Sequence, residues 1–160
     1  MTIQVGDRLP DLTLTTMTEE GPKPIGMTEF CAGKKVVIFA VPGAFTPTCS
    51  AQHLPGFIDN KQMLSDKGVD SVACISVNDP FVMGAWGKDR EVGDSVIMLS
   101  DGNGEFTAAI GLEMDGSGFG LGTRSQRYAM VVDDGVVSTL NVESGPGLDV
   151  SSAETILAGI

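Results

Sequence analysis

Six apolar residues in a row, Val36-Val37-Ile38-Phe39-Ala40-Val41, come after Lys34 and Lys35. A run this short, rich in β-branched residues and without polar alternation, reads as a strand buried on both faces, which belongs inside a parallel sheet covered by helices on both sides. It is the expected central strand of an α/β fold. It also falls far short of the ~20 apolar residues that cross a bilayer.

A helix start lies just beyond this run: after Gly43, Thr46-Pro47-Thr48-Cys49 offers Thr at the N-cap, Pro at the first helical position and Cys49 at the third. Leu54, Phe57, Ile58 and Leu64 continue at helical spacing towards Lys67, with Pro55 expected to kink or divide the helix. Residues 69–77 read as a second buried strand, and Asn78-Asp79-Pro80 opens a helix carrying Phe81, Val82, Ala85 and Trp86. The order so far is β-α-β-α. Upstream, residues 12–15 alternate as a strand, and a turn at 21–24 separates them from a short segment near Ile25, giving an N-terminal hairpin. Downstream come a short strand at 96–99, a turn at 101–104 and a short helix at 105–110. Strands at 128–132 and 136–140 flank Asp133-Asp134-Gly135, and Ser151-Ser152-Ala153-Glu154 is a capping box for a final helix. A βαβα half followed by a ββα half on one sheet is the thioredoxin-like arrangement of an α/β fold. The expectation is a single domain over 1–160, with a central mixed sheet flanked by helices.

Ten basic against 21 acidic side chains give a net charge of −11, which repels nucleic acid and anionic membrane surfaces. The opening MTIQVGDR lacks the basic and apolar regions of a secretory signal, so a cytoplasmic location is expected. Cys31, Cys49 and Cys74 cannot all pair within one chain, and none lies in a CxxC or zinc-type spacing. At least one thiol is free. Of the three, Cys49 has the informative setting: a helix N-terminus at the carboxyl end of the central strand, where α/β sheets place their sites and where unpaired N–H groups favour a thiolate. The residues alone leave two readings open, a reactive thiol or a small buried hydrophobe.

The segment from Pro42 to Phe57, PGAFTPTCSAQHLPGF, contains the PxxxTxxC signature and resembles the peroxiredoxins, in particular the atypical type II or type 5 branch. The likeness extends through Val72-Ala73-Cys74-Ile75-Ser76-Val77-Asn78-Asp79, Phe81…Trp86-Gly87 and Arg127-Tyr128-Ala129-Met130-Val131-Val132. It implies a thiol peroxidase that reduces hydrogen peroxide and alkyl hydroperoxides through a Cys49 sulfenic acid, without metal or organic cofactor. In that reading Thr46 directs its hydroxyl to the thiolate and the peroxide, Arg127 supplies a fixed cation, and Pro42 shields the sulfur. Each has a plainer alternative: Thr46 as a helix cap, Pro42 as a strand terminator, and Arg127 as a solvated hairpin residue with Arg124 as a rival cation. His53, one helical turn from Cys49, is expected to be structural or supporting rather than a catalytic base.

The sulfenic acid needs a resolving thiol. Some members of the branch carry one in a stretch similar to Gly147-Leu148-Asp149-Val150-Ser151, where Val150 stands here. Cys74 is expected to be an inert core residue, and Cys31 to lie exposed near a loop mouth. The expected resolver is therefore an external thiol, with glutathione and glutaredoxin favoured and thioredoxin second. The resemblance also implies a homodimer, for which Phe45 and Trp86 are candidate contacts, core packing being the other reading of both. The rivals are a disulfide oxidoreductase, which would need the missing second cysteine of CxxC, a hydrolase using Cys49 and His53, and a non-catalytic redox sensor or holdase.

Overall fold

The structure, a computed structural model, describes every residue from Met1 to Ile160. Its strands are β1 (Thr13–Thr18), β2 (Gly21–Gly26), β3 (Lys35–Ala40), β4 (Ser71–Ser76), β5 (Ile97–Ser100), β6 (Glu113–Asp115), β7 (Thr123–Ser125), β8 (Tyr128–Asp133) and β9 (Val136–Val142). Seven of them form one mixed sheet in the order β2-β1-β5-β4-β3-β8-β9, while β6 and β7 pair as a separate hairpin. β3 lies parallel to β4 on one side and antiparallel to β8 on the other, as its unbroken apolar character requires. This is the thioredoxin-like fold.

Alternate residues of β3 enter opposite faces of the sheet. Val37 and Phe39 meet Leu54 and Phe57 of α2 (Leu54–Asp59) and Trp86 of α4 (Pro80–Asp89), with Leu64 and Ile156 in the same core. Val36 and Ile38 meet Met27 and Cys31 of α1 (Met27–Cys31) and Phe106 of α5 (Glu105–Ala109) on the other face. The remaining helices are α3 (Lys61–Asp66) and α6 (Ala153–Ala158). Asp79 caps α4 by accepting from the Val82 N–H, with Pro80 in the first turn, as its sequence predicts. Between β8 and β9, Asp134 and Gly135 both have positive φ, 49° and 82°, the backbone of a two-residue primed turn.

Four local expectations need correction. Residues 21–24 are not the hairpin turn but part of β2; Pro22 and Pro24 are tolerated because β2 is the edge strand, where N–H groups on the open side have no partner to lose. The segment from Thr46 is divided, as expected, but at Asn60, between α2 and α3, rather than at Pro55, which instead follows a π-helical turn, Cys49–His53, ahead of α2. The α6 cap is Ser152, which accepts from the Thr155 N–H, rather than Ser151, whose hydroxyl donates to Glu143. The β6–β7 hairpin is not among the expected elements, its alternation being hidden by the glycines at 116–122.

Candidate active site

The π-helical turn has an identifiable cause. In a regular α-helix the Pro55 ring would meet the Ala51 carbonyl, and Pro55 has no N–H to donate. Widening the turn lets the Leu54 N–H donate to the Cys49 carbonyl instead, five residues back. Arg90 Nη1 then donates to the Ser50 carbonyl at 3.3 Å, and Trp86 Nε1 donates to Ser50 Oγ at 2.9 Å. Cys49 is therefore held in a wide turn fixed from α4.

The register of the sheet brings Arg127 to this turn. Tyr128 lies opposite Ala40, so the residue before β8 arrives beside the end of β3, where the chain enters the loop carrying Pro42 and Thr46. Arg127 Nη2 donates to Cys49 Sγ at 3.1 Å, placing a guanidinium charge on the sulfur. Arg127 Nη1 donates to His53 Nδ1 at 2.8 Å, and His53 Nε2 donates to the Ser151 carbonyl at 2.9 Å. A carbonyl only accepts, so the proton sits on Nε2 and the Nδ1 lone pair faces Arg127. Burial, and then the Arg127 charge, lower the His53 pKa from 6.5 to about 3. His53 is neutral at pH 7, and its only basic nitrogen is occupied.

Thr46 begins the helical segment, for its carbonyl accepts from the Ser50 N–H, but its hydroxyl donates to the Gly43 carbonyl at 2.6 Å. Neither the expected side-chain cap nor donation to sulfur is made. The oxygen keeps lone pairs with which to accept. Arg124, the rival cation, donates to the Leu121 and Pro42 carbonyls at 2.9 and 3.2 Å, joining the glycine-rich loop to the loop before Cys49. Phe45 stands in that loop with φ of 64°, a strained setting for an aromatic residue, and is 52% exposed. Trp86 is fully buried on Ser50, so of the two aromatics only Phe45 is free to meet a partner.

Cys49 is fully buried, and the residue before it, Thr48, lines an open groove of about 650 Å³ together with Pro42, Thr46, Arg127, Met114, Leu121 and Phe119. Arg127 lines this groove, and its buried Nε is a donor with no partner. Cys31 is not at a loop mouth. It is fully buried in α1 on the far face of the sheet, and its burial pushes the thiol up to about 11. Cys74 is buried in β4 on the Cys49 side, its thiol raised by burial and by the neighbouring Cys49.

The redoxin family profile matches residues 4–157. Peroxiredoxin-2E of the Arabidopsis thaliana chloroplast is 52% identical over 162 residues, covering 99% of this chain and 69% of that protein. The chain belongs to the peroxiredoxins of the redoxin family. Peroxiredoxin-2B of the same plant is 49% identical over 159 residues, covering 99% of this chain and 98% of its own. The crystal structure of reduced Prx3 from Vibrio vulnificus in complex with hydrogen peroxide superposes with a TM-score of 0.95 at 56% identity, covering 99% of each chain. As a peroxiredoxin the chain is a thiol-dependent peroxidase acting on peroxides through a cysteine, reduced in turn by an external thiol. Sequence reasoning missed two residues near the site: Glu143, whose carboxylate gathers the loop before α6 and which carried no signal, and Ser151, which read only as a helix cap but whose carbonyl meets His53.

Proposed function

We propose that Cys49 is the peroxidatic nucleophile and that Arg127, Thr46 and Pro42 assemble the peroxide site around it. The single observation that carries this is the 3.1 Å contact from Arg127 to Cys49 Sγ in a buried turn beside the groove. The sulfur lone pair attacks the nearer peroxide oxygen, the O–O bond breaks, and the leaving oxygen departs as water or alcohol once protonated. Cys49 is left as the sulfenic acid, oxidised by two electrons. The free Arg127 Nε–H points to a hydrogen bond with the peroxide, and Thr46 Oγ accepts from the peroxide O–H, its own proton being held by Gly43. Such fixed donors favour charge moving onto the leaving oxygen without reorganisation. Pro42 closes one wall of the groove. A groove of about 650 Å³ has room for an alkyl chain as well as for hydrogen peroxide, a water-sized molecule occupying about 30 Å³.

The proposed reductant is glutathione with glutaredoxin, thioredoxin being second. Cys31 lies on the far face of the sheet, Cys74 is buried within β4, and Val150 stands where part of the branch has a resolving cysteine, which favours an outside thiol. A homodimer using Phe45 and a cytoplasmic location complete the proposal. The test is NADPH-coupled turnover of hydrogen peroxide and tert-butyl hydroperoxide with each reductant. Turnover that Cys49→Ser abolishes and Cys31→Ser/Cys74→Ser retains supports the reading. Turnover that survives Cys49→Ser sinks it, and turnover lost in the double variant with every reductant points to an internal resolver.

A further inference from the structure

Glu143 comes directly after β9 and is 8% exposed, a nearly buried acid with no salt bridge. Its Oε2 accepts from the N–H groups of Asp149, Val150 and Ser151 at 3.0, 2.9 and 2.8 Å, and from Ser151 Oγ at 2.7 Å. Its own N–H donates to the Arg127 carbonyl at 2.9 Å. One carboxylate oxygen thus draws the 149–151 strap onto the end of β9, immediately beside the strand that delivers Arg127. Burial opposes the Glu143 charge, but the bonds from Ser151, Asp149 and Val150 outweigh it and hold the carboxyl below its usual range.

The strap faces the reacting sulfur only through other residues. Pinned at its N–H and hydroxyl, Ser151 presents its carbonyl to His53 Nε2; His53 in turn presents a lone pair to Arg127 Nη1, and Arg127 Nη2 meets Cys49 Sγ. Were the Ser151 carbonyl to move away, the His53 proton would be held on Nε2 only by the Arg127 Nη1–H that faces Nδ1, one support where there are now two. Shifted to Nδ1, that proton would oppose a guanidinium N–H, two donors facing each other, and Arg127 would swing off the sulfur. Phe39 and Phe57 pack against the imidazole with ring centroids 4.9 and 5.6 Å away, so the ring has little freedom to find another partner.

We infer that Glu143 is a positioning residue for the peroxidase reaction: by pinning Ser151 it supports the His53 ring and tautomer from the Nε2 side, and through His53 the orientation in which Arg127 meets Cys49. The inference rests on Cys49 being the nucleophile. Its test needs no peroxide, so the two fail separately. The chain has one histidine, and nitrogen NMR of the labelled, reduced protein reads its tautomer without ambiguity. The wild type shows the Nε2–H form. Glu143→Ala populates the Nδ1–H form and slows alkylation of Cys49 by iodoacetamide about tenfold, the scale of one lost hydrogen bond. Glu143→Gln keeps a neutral acceptor in the same place; it retains the Nε2–H form and stays within about threefold of the wild-type alkylation rate, as for a bond weakened rather than lost. Its strap is more loosely held, so its Nε2 proton exchanges with solvent faster than in the wild type. A folded Glu143→Ala protein with wild-type tautomer and alkylation rate overturns the inference. If Glu143→Ala does not fold, Glu143→Gln decides: faster Nε2 proton exchange supports the inference, and wild-type exchange overturns it. Failure of the wild type to consume peroxide, with these results intact, would instead overturn the assignment of Cys49 as peroxidatic.

Discussion

At the scale of single residues, Arg127 is the group that joins Cys49 to His53. It gives one arm of its guanidinium to Cys49 Sγ and the other to His53, and it keeps Nε–H free. Arg127→Met keeps much of the side-chain volume and removes every donor; the rate constant for peroxide, read by stopped flow, is expected to fall about 10²–10³-fold, as when one transition-state donor is lost. Arg127→Lys restores a charge without the forked geometry, so it falls between the two. His53 and Glu143 shape the acid limb of stability. The folded pKa of His53, about 3, lies below its ordinary 6.5, so between these values the unfolded chain binds the proton and the folded chain does not. Stability is therefore lost as pH falls through this window, by at most about 1.4 kcal/mol per pH unit from this group. The contribution of Glu143, held low, is lost in the same direction. Cys31 works at the other end: its pKa is raised from 9.0 to about 11, so the unfolded chain ionises first and stability declines above pH 9. Urea titrations across pH check both limbs, and His53→Gln is expected to flatten the acid one.

At the scale of elements, two close approaches carry the geometry. A Cβ on Gly84 of α4 would stand 2.7 Å from Cβ of Met17 on β1, so Gly84→Ala forces the helix off the sheet. A loss of about 1–3 kcal/mol is expected in chemical denaturation. A Cβ on Gly43 would stand 2.9 Å from Arg124 Nη1, at the joint between the loops flanking the groove. Much of this level was legible in the sequence, because it is local: the apolar run of β3, the Asp79-Pro80 cap of α4 and the helix start ahead of Cys49 each declare themselves within a few residues. The exceptions depend on partners far along the chain. Pro22 and Pro24 sit in a strand because of where β2 falls in the sheet, and the π-helical turn uses Arg90 to satisfy Ser50. Cys31 is buried in a five-residue helix too short to show a period. The His53 to Ser151 bond spans 98 residues, and Ser151 could not be read as anything but a cap until its hydroxyl was seen on Glu143.

At the scale of the whole molecule, the sheet register joins three distant segments at one point: the turn after β3, the residue before β8 and the strap after β9. The residues that contact Cys49 and His53 therefore come from parts of the chain far from the Pro42–Phe57 segment. The proposed homodimer draws on the exposed Phe45 beside the site, and Phe45→Glu is expected to shift sedimentation towards the monomer while the fold is retained. The peroxidatic role of Cys49 is best tested by exposing the reduced protein briefly to equimolar hydrogen peroxide, trapping sulfenic acid, and reading the intact mass and the modified peptide. A rapidly formed adduct on Cys49, with Cys31 and Cys74 unmodified, is the expected result. A Cys49 that stays reduced while peroxide is present would contradict the assignment.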